Sequence, residues 1–164
     1  MSARSAVLAA RELLHSLTPL KTDCGRLCGG ACCQGDDATG MLLFPQEETL
    51  YDGCPFGRVR PAGFSLGGTD VRLFVCGGAC ARDSRPLACR LFPLFLSFRA
   101  DGSAKLRMDR RARAVCPLTD YGLQALDPAF VQAVRSAYGA LLADEACRAY
   151  LMALDEAFSL PAGK

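Results

Sequence analysis

The chain has 164 residues, with ten cysteines, one histidine and no tryptophan. At ~150 residues per domain this length gives one domain, which buries roughly 70% of its unfolded surface and needs no disulfides to fold. A single histidine excludes a Cys₂His₂ finger, a three-histidine catalytic zinc and a two-histidine relay, while 19 basic against 17 acidic residues leave +2, too little by itself to imply nucleic acid.

Three zones follow one another. Residues 1–20 lack cysteine, and Val7, Leu8, Leu13, Leu14 and Leu17 predict an amphipathic helix over 2–17. Arg11 and Glu12 interrupt the apolar stretch too early for a secretory signal, and no run reaches the ~20 apolar residues of a membrane span. The expectation is a cytoplasmic chain with reduced thiols, where dense cysteine reads as metal-binding or catalytic. Residues 21–118 carry nine of the ten cysteines. There, Met41-Leu42-Leu43-Phe44 is a short apolar run, Glu47 and Glu48 after Pro45 predict a helix over 45–51, and 71–76 predicts a strand after the Gly67-Gly68 turn. Residues 91–99 and 104–108 flank Ala100-Asp101-Gly102-Ser103 as a hairpin, with Pro93 putting the first strand at an edge or bulge. In residues 119–164, Asp127 as N-cap and Pro128 at the first helical position open a helix to about Ala143. A second helix over 144–158 carries the core stripe Cys147, Tyr150, Leu151, Leu154 and Phe158. The expected fold is a single α+β domain over 1–164, with a loop-rich, cysteine-centred metal-binding core, a short β-hairpin and packed N- and C-terminal helices.

The first cysteine cluster is Cys24-x₃-Cys28-x₃-Cys32-Cys33. On a continuous helix, cysteines four apart share a face with Cβ atoms ~5–6 Å apart. Gly25, Gly29 and Gly30 favour instead a tight backbone turn around an ion, and tetrahedral Zn–S bonds of ~2.3 Å suit sulfurs gathered by such a turn. Adjacent Cys32 and Cys33 diverge in an extended segment, so either they serve two sites or one ligates while the other packs. The second cluster, Cys76-x₃-Cys80-x₈-Cys89, repeats the Cys-Gly-Gly-Ala-Cys pattern of 28–32, and Cys116 follows the basic stretch 107–113. Four thiolates on one Zn²⁺ leave a charge of −2, which nearby cations favour; Arg85 and Arg90, flanking Cys89, are the candidates. Two Cys₄ sites need eight thiolates and a 4Fe–4S cluster four. Cys24, Cys28, Cys32, Cys33, Cys76, Cys80, Cys89 and Cys116 supply eight. Cys147 is then a core residue, while Cys54 is able to replace one of the eight. Arg107, Arg110, Arg111 and Arg113 read as a solvated face.

The Cys-Gly-Gly-Ala-Cys-Cys of 28–33, Cys24 before it, Cys80, and the later Arg85-Pro86 with Cys89-Arg90 and Phe92-Pro93 resemble the YkgJ-like cysteine-cluster family, as does Gly40 to Glu48. The resemblance covers about residues 24–116 and implies zinc or iron chelation by cysteines, with no reaction attached. Cys54 and Cys76 are additions to the family pattern. A related domain occurs in flagellin lysine N-methylases.

The leading expectation is a metal-binding protein rather than an enzyme, with zinc ahead of iron or a 4Fe–4S cluster. One alternative is an iron–sulfur redox or methyl-transfer-associated enzyme. The first gap matches the Cys-x₃-Cys-x₂-Cys of radical S-adenosylmethionine enzymes but the second is one residue too long, and the chain is too short for their barrel. The other alternative is a zinc-stabilised adaptor for protein or nucleic acid; interleaved stacking aromatics and a recognition helix are both missing. His15 lacks an acidic orienter for a cysteine–histidine dyad. Glu47-Glu48 and Asp36-Asp37 read as a helix first turn and a turn segment, and Gly67-Gly68 and Gly77-Gly78 lack the P-loop lysine.

Overall fold

Alanine, rather than leucine, sets how the N-terminal helix packs. The computed structural model describes residues 1–22, 24–33, 40–77 and 80–159. Its first helix, α1 (Ala3–Leu13), starts where the Ser2 hydroxyl accepts the Ser5 N–H at 3.2 Å. Its buried face is Ala3, Ala6, Val7 and Ala10, continued by Leu14, whereas Leu8 and Leu13 are exposed. The inward stripe is thus rotated from the leucine-led one expected. Small side chains let α1 lie close against a helix from the other end of the chain.

A short turn of helix, α2 (Gly25–Cys28), and a 3₁₀ turn, Ala31–Cys33, carry the first cysteine cluster. Strand β1 (Met41–Leu42) follows, then a 3₁₀ turn, Glu47–Tyr51, in place of the helix expected over 45–51. Strands β2 (Gly57–Leu66) and β3 (Thr69–Cys76) pair antiparallel, and β1 adds to the other edge of β3. The strand expected over 71–76 is therefore present and two residues longer. The ten-residue β2 was not anticipated: Gly57, Pro61 and Gly63 break its alternation, and its pairing is irregular between Pro61 and Ser65. Pro61 is tolerated because β2 is an edge strand. Gly67 and Gly68 both have positive φ, 55° and 80°, as a tight two-residue hairpin turn requires. A Cβ on Gly67 would collide with the backbone of Ala149.

Residues 87–91 form a one-turn helix, α3 (Leu87–Leu91), so the second hairpin begins later than expected, with β4 (Leu94–Phe98) and β5 (Ala104–Met108). Pro93 precedes β4 after a cis peptide bond. Helix α4 (Pro128–Leu142) has Asp127 as N-cap and Pro128 at its first position, as read from sequence. Helix α5 (Glu145–Ser159) is held at its start by Asp144, whose carboxylate accepts the Cys147 N–H at 2.9 Å.

The main core is built where Phe130, Val134, Ala137, Tyr138 and Leu141 of α4 meet the alanine face of α1 and the Cys147, Tyr150, Leu151, Leu154 stripe of α5. Phe158 lies outside it, 40% exposed. A smaller cluster, Leu43, Tyr51 and Phe74, sits under β3 with Cys54 against it. The architecture is α+β. No described helix is long and apolar enough to cross a membrane.

The central loops are tied down by one buried ion pair. Glu47 is fully buried and accepts three hydrogen bonds: Arg11 Nη1 at 3.0 Å, Leu87 N at 2.7 Å and Phe44 N at 3.0 Å. Burial pushes this carboxyl above its ordinary range, and those three donors oppose the shift. Arg11 also donates to the Tyr51 hydroxyl at 2.8 Å and to the Arg85 carbonyl at 2.9 Å. Through these bonds α1 fixes both the segment before α3 and the start of α3, which carries Cys89.

Candidate metal centre

Ligand turns bring sulfurs close only if separate segments converge. Five cysteines from four segments line a single cavity of about 140 Å³: Cys32 and Cys33 from the 3₁₀ turn, Cys76 from the end of β3, Cys80 from the following loop and Cys89 from α3. Gly40, Met41, Phe74, Arg85 and Pro86 complete its walls. Cys24, Cys28 and Cys33 lie near enough to Cys32 to act on its charge, and Cys116 is in the same relation to Cys28. Five of the eight cysteines expected as ligands thus line the cavity, while Cys24, Cys28 and Cys116 do not. The chain's ten cysteines are free thiols, with none bonded to another.

Local structure explains how each is presented. The Leu27 N–H closes on the Cys24 carbonyl and the Cys33 N–H on the Gly30 carbonyl, with Gly29 and Gly30 at positive φ between them. Those two glycines make the reversal that folds Cys24 and Cys28 toward Cys32 and Cys33. Cys116 is buried at the junction of two 3₁₀ turns, 110–114 and 117–120, where its N–H donates to the Ala112 carbonyl at 2.7 Å. The repeat of Cys-Gly-Gly-Ala-Cys at 76–80 is only partly visible, since Gly78 and Ala79 lie outside the described residues, as do Asp36 and Asp37.

Burial raises the proton affinity of three of these thiols, Cys32, Cys89 and Cys116. Burial and then the thiols of Cys33, Cys28 and Cys24 push Cys32 up to about 12. Burial raises Cys89 as well, opposed by Arg85. The two arginines expected to serve the thiols separate here. Arg85 stands beside Cys80, Cys33 and Cys89. Arg90 is buried and donates to the carbonyls of Arg85 at 2.9 Å, Arg11 at 3.1 Å and Asp83 at 2.7 Å, so its charge fastens the loop before α3.

The two cysteines left out of the ligand count lie elsewhere. Cys147 is fully buried in the main core, and Cys54 packs on the small cluster without lining the cavity. His15 shares a crevice of about 20 Å³ with Cys89, yet its ring faces the exposed Asp83 carboxylate at 3.7 Å. No described hydrogen bond joins the imidazole to a thiol. Glu47 and Arg11, which hold the start of α3, were not foreseen as parts of this site. The only sequence signal was an acid after a proline, which reads equally as an ordinary first turn.

The donor set facing the cavity is sulfur, with one guanidinium and apolar walls, a combination that suits soft or borderline metals. Among the described residues, no three His, Cys, Asp or Glu side chains are already arranged to hold a metal ion. The thiols are gathered around a shared space without being closed into a coordination sphere. No family model, curated protein or solved structure matches the chain.

Proposed function

We propose that this protein binds a metal ion through clustered cysteine thiolates in a reducing, cytoplasmic setting, with zinc the leading metal and iron or a 4Fe–4S cluster the alternative. The observation that carries the reading is the convergence of Cys32, Cys33, Cys76, Cys80 and Cys89 on one cavity from four segments. Cys24, Cys28 and Cys116 adjoin it and complete the candidate ligand set. The family resemblance points the same way and rests on its motif residues alone.

Burial, with neighbouring thiols adding to it, raises the proton affinity of Cys32 and Cys89. A dication reverses that balance, because it favours the thiolate outright and releases the protons. Four thiolates around Zn²⁺ carry −2, and Arg85 is placed to offset part of that charge. Ligand–metal free energy then becomes folding free energy, ~10–16 kcal/mol apparent in zinc-finger peptides.

The test is elemental and acid-labile sulfide analysis of anaerobically purified protein, together with a thiol titration. Zinc without sulfide supports the leading form; iron with sulfide supports the cluster. Cys33→Ser and Cys89→Ser are expected to lose metal, while Cys54→Ser and Cys147→Ala retain it. A folded chain with all ten thiols titratable and no metal overturns the reading.

A further inference from the structure

The arginines of residues 107–113 are exposed, as a solvated face requires, and they also gather around one cavity. Phe95 of β4 stands opposite Arg107 of β5 in the hairpin register, so the two share a face. The Arg111 guanidinium lies 5.5 Å from the Phe95 ring centroid and 4.4 Å from that of Phe158. It also grips Asp109 with contacts of 2.6–3.2 Å. Arg110 and Arg113 are three apart in the 3₁₀ turn 110–114, a spacing that eclipses side chains and sets both on one side. The result is a cavity of about 300 Å³ walled by all four arginines, with the Thr119 and Ser97 hydroxyls at its margin.

The charge count is explicit. Four guanidiniums face two carboxylates, Asp109 and Asp155, leaving +2 on this one cavity. That equals the formal charge of the entire chain. Asp109 is matched by Arg111, and Asp155 accepts from Phe98 N at 2.8 Å and from the Ser159 hydroxyl at 3.0 Å. Arg107, Arg110 and Arg113 form no ion pair among the described residues.

We propose that this cavity binds a small molecule through its phosphoryl group, held by Arg107, Arg110 and Arg113 around the fixed Arg111–Asp109 pair. Guanidinium forks match phosphoryl oxygens two at a time, and an arginine locked by stacking and a carboxylate loses little freedom on binding. The size falls at the lower end of small-molecule pockets. The Phe95 and Phe158 rings are each engaged by Arg111, which competes there with the stacking of nucleic-acid bases. The site is separate from the thiol cavity, sharing no lining residue with it.

Inorganic pyrophosphate is the probe, titrated calorimetrically into the full chain as purified, with metal content measured before and after. One pyrophosphate per chain is expected, with affinity falling as salt rises. Arg107→Gln, Arg110→Gln and Arg113→Gln are each expected to weaken it by about tenfold or more. These three side chains are exposed, so the core is untouched, and matching thermal unfolding checks this. Arg135→Gln, an equal loss of charge on the exposed side of α4, is expected to leave binding within about twofold, as for a surface charge with no ligand contact. Absence of binding at millimolar pyrophosphate, an equal loss in Arg135→Gln, heat that tracks metal removal, or tighter binding of a single-stranded oligonucleotide at the same arginines would each overturn the proposal.

Discussion

Replacing Glu47 with leucine tests the claim that a buried ion pair positions the thiol-bearing segments. The substitution keeps the volume roughly and removes both oxygens. Phe44 N–H and Leu87 N–H then lose their acceptor in a site closed to water, each at a cost of about 1–3 kcal/mol. Arg11 loses its only charged partner among the described residues but keeps the Tyr51 hydroxyl and the Arg85 and Asp83 carbonyls. Those three remaining bonds hold the total near the range for breaking a buried pair, about 3–5 kcal/mol. That is a large fraction of the roughly 5–15 kcal/mol that holds a domain folded. Urea unfolding of the protein as purified measures it as a lower midpoint with an unchanged slope. The double variant Arg11→Met, Glu47→Leu is expected to recover part of the loss, because no charge is then left buried. Chelator-driven metal release should also quicken in Glu47→Leu, since Leu87 N and the Arg85 carbonyl anchor the chain on either side of Pro86. A change under about 0.5 kcal/mol would refute the reasoning, since that is what surface substitutions give.

Burial and then Asp144 push the Cys147 thiol from 9.0 up to about 12. The folded chain therefore keeps a proton that the unfolded chain loses, so this stabilisation is full below pH 9 and fades as pH climbs toward 12. Cys147→Ala is expected to cost about 1 kcal/mol at neutral pH and less above pH 9, read by urea unfolding; an alkaline slope identical to the unmodified protein's contradicts this. The Tyr150 hydroxyl is buried with no partner among the described residues, so Tyr150→Phe should leave stability unchanged or raise it by up to about 1 kcal/mol. A clear loss would reveal a partner for that oxygen. Gly67→Ala meets both a positive φ and the Ala149 backbone and should lower stability by about 1–3 kcal/mol, visible as a reduced Tm. An unchanged Tm would mean that the turn and α5 are not in register. Arg111→Ala frees Asp109 and uncovers Phe158, and the expected cost is about 1–2 kcal/mol by urea unfolding; no change would show the stack to be unimportant.

Local chemistry made much of the outline legible. Asp127-Pro128 marks the start of α4 because an acceptor side chain and a fixed φ act within one turn. The 147–154 stripe marks α5 in the same way, and Val71 to Cys76 gives itself away through β-branched and aromatic residues. Where local signals conflict, the sequence misleads. The glycines and proline of β2 conceal a strand that exists because β3 offers it a partner. Leu91 heads the strand expected over 91–99, yet the Glu47 carboxylate, forty residues before Leu87, accepts the Leu87 N–H and starts a helix that takes Leu91.

The sequence alone determined how many thiols there are, their turn-forming spacing, and their exclusion from any site that needs two or more histidines. Only the tertiary structure decided that, of the two cysteines packed on the Leu43–Tyr51–Phe74 cluster, Cys76 also lines the cavity and Cys54 does not, and that Arg85 faces the sulfurs while Arg90 is spent on carbonyls. Neighbours along the chain share one composition and nearly one spacing. What separates them is which buried acceptors and apolar surfaces lie within reach after folding, and those are supplied by residues dozens of positions away.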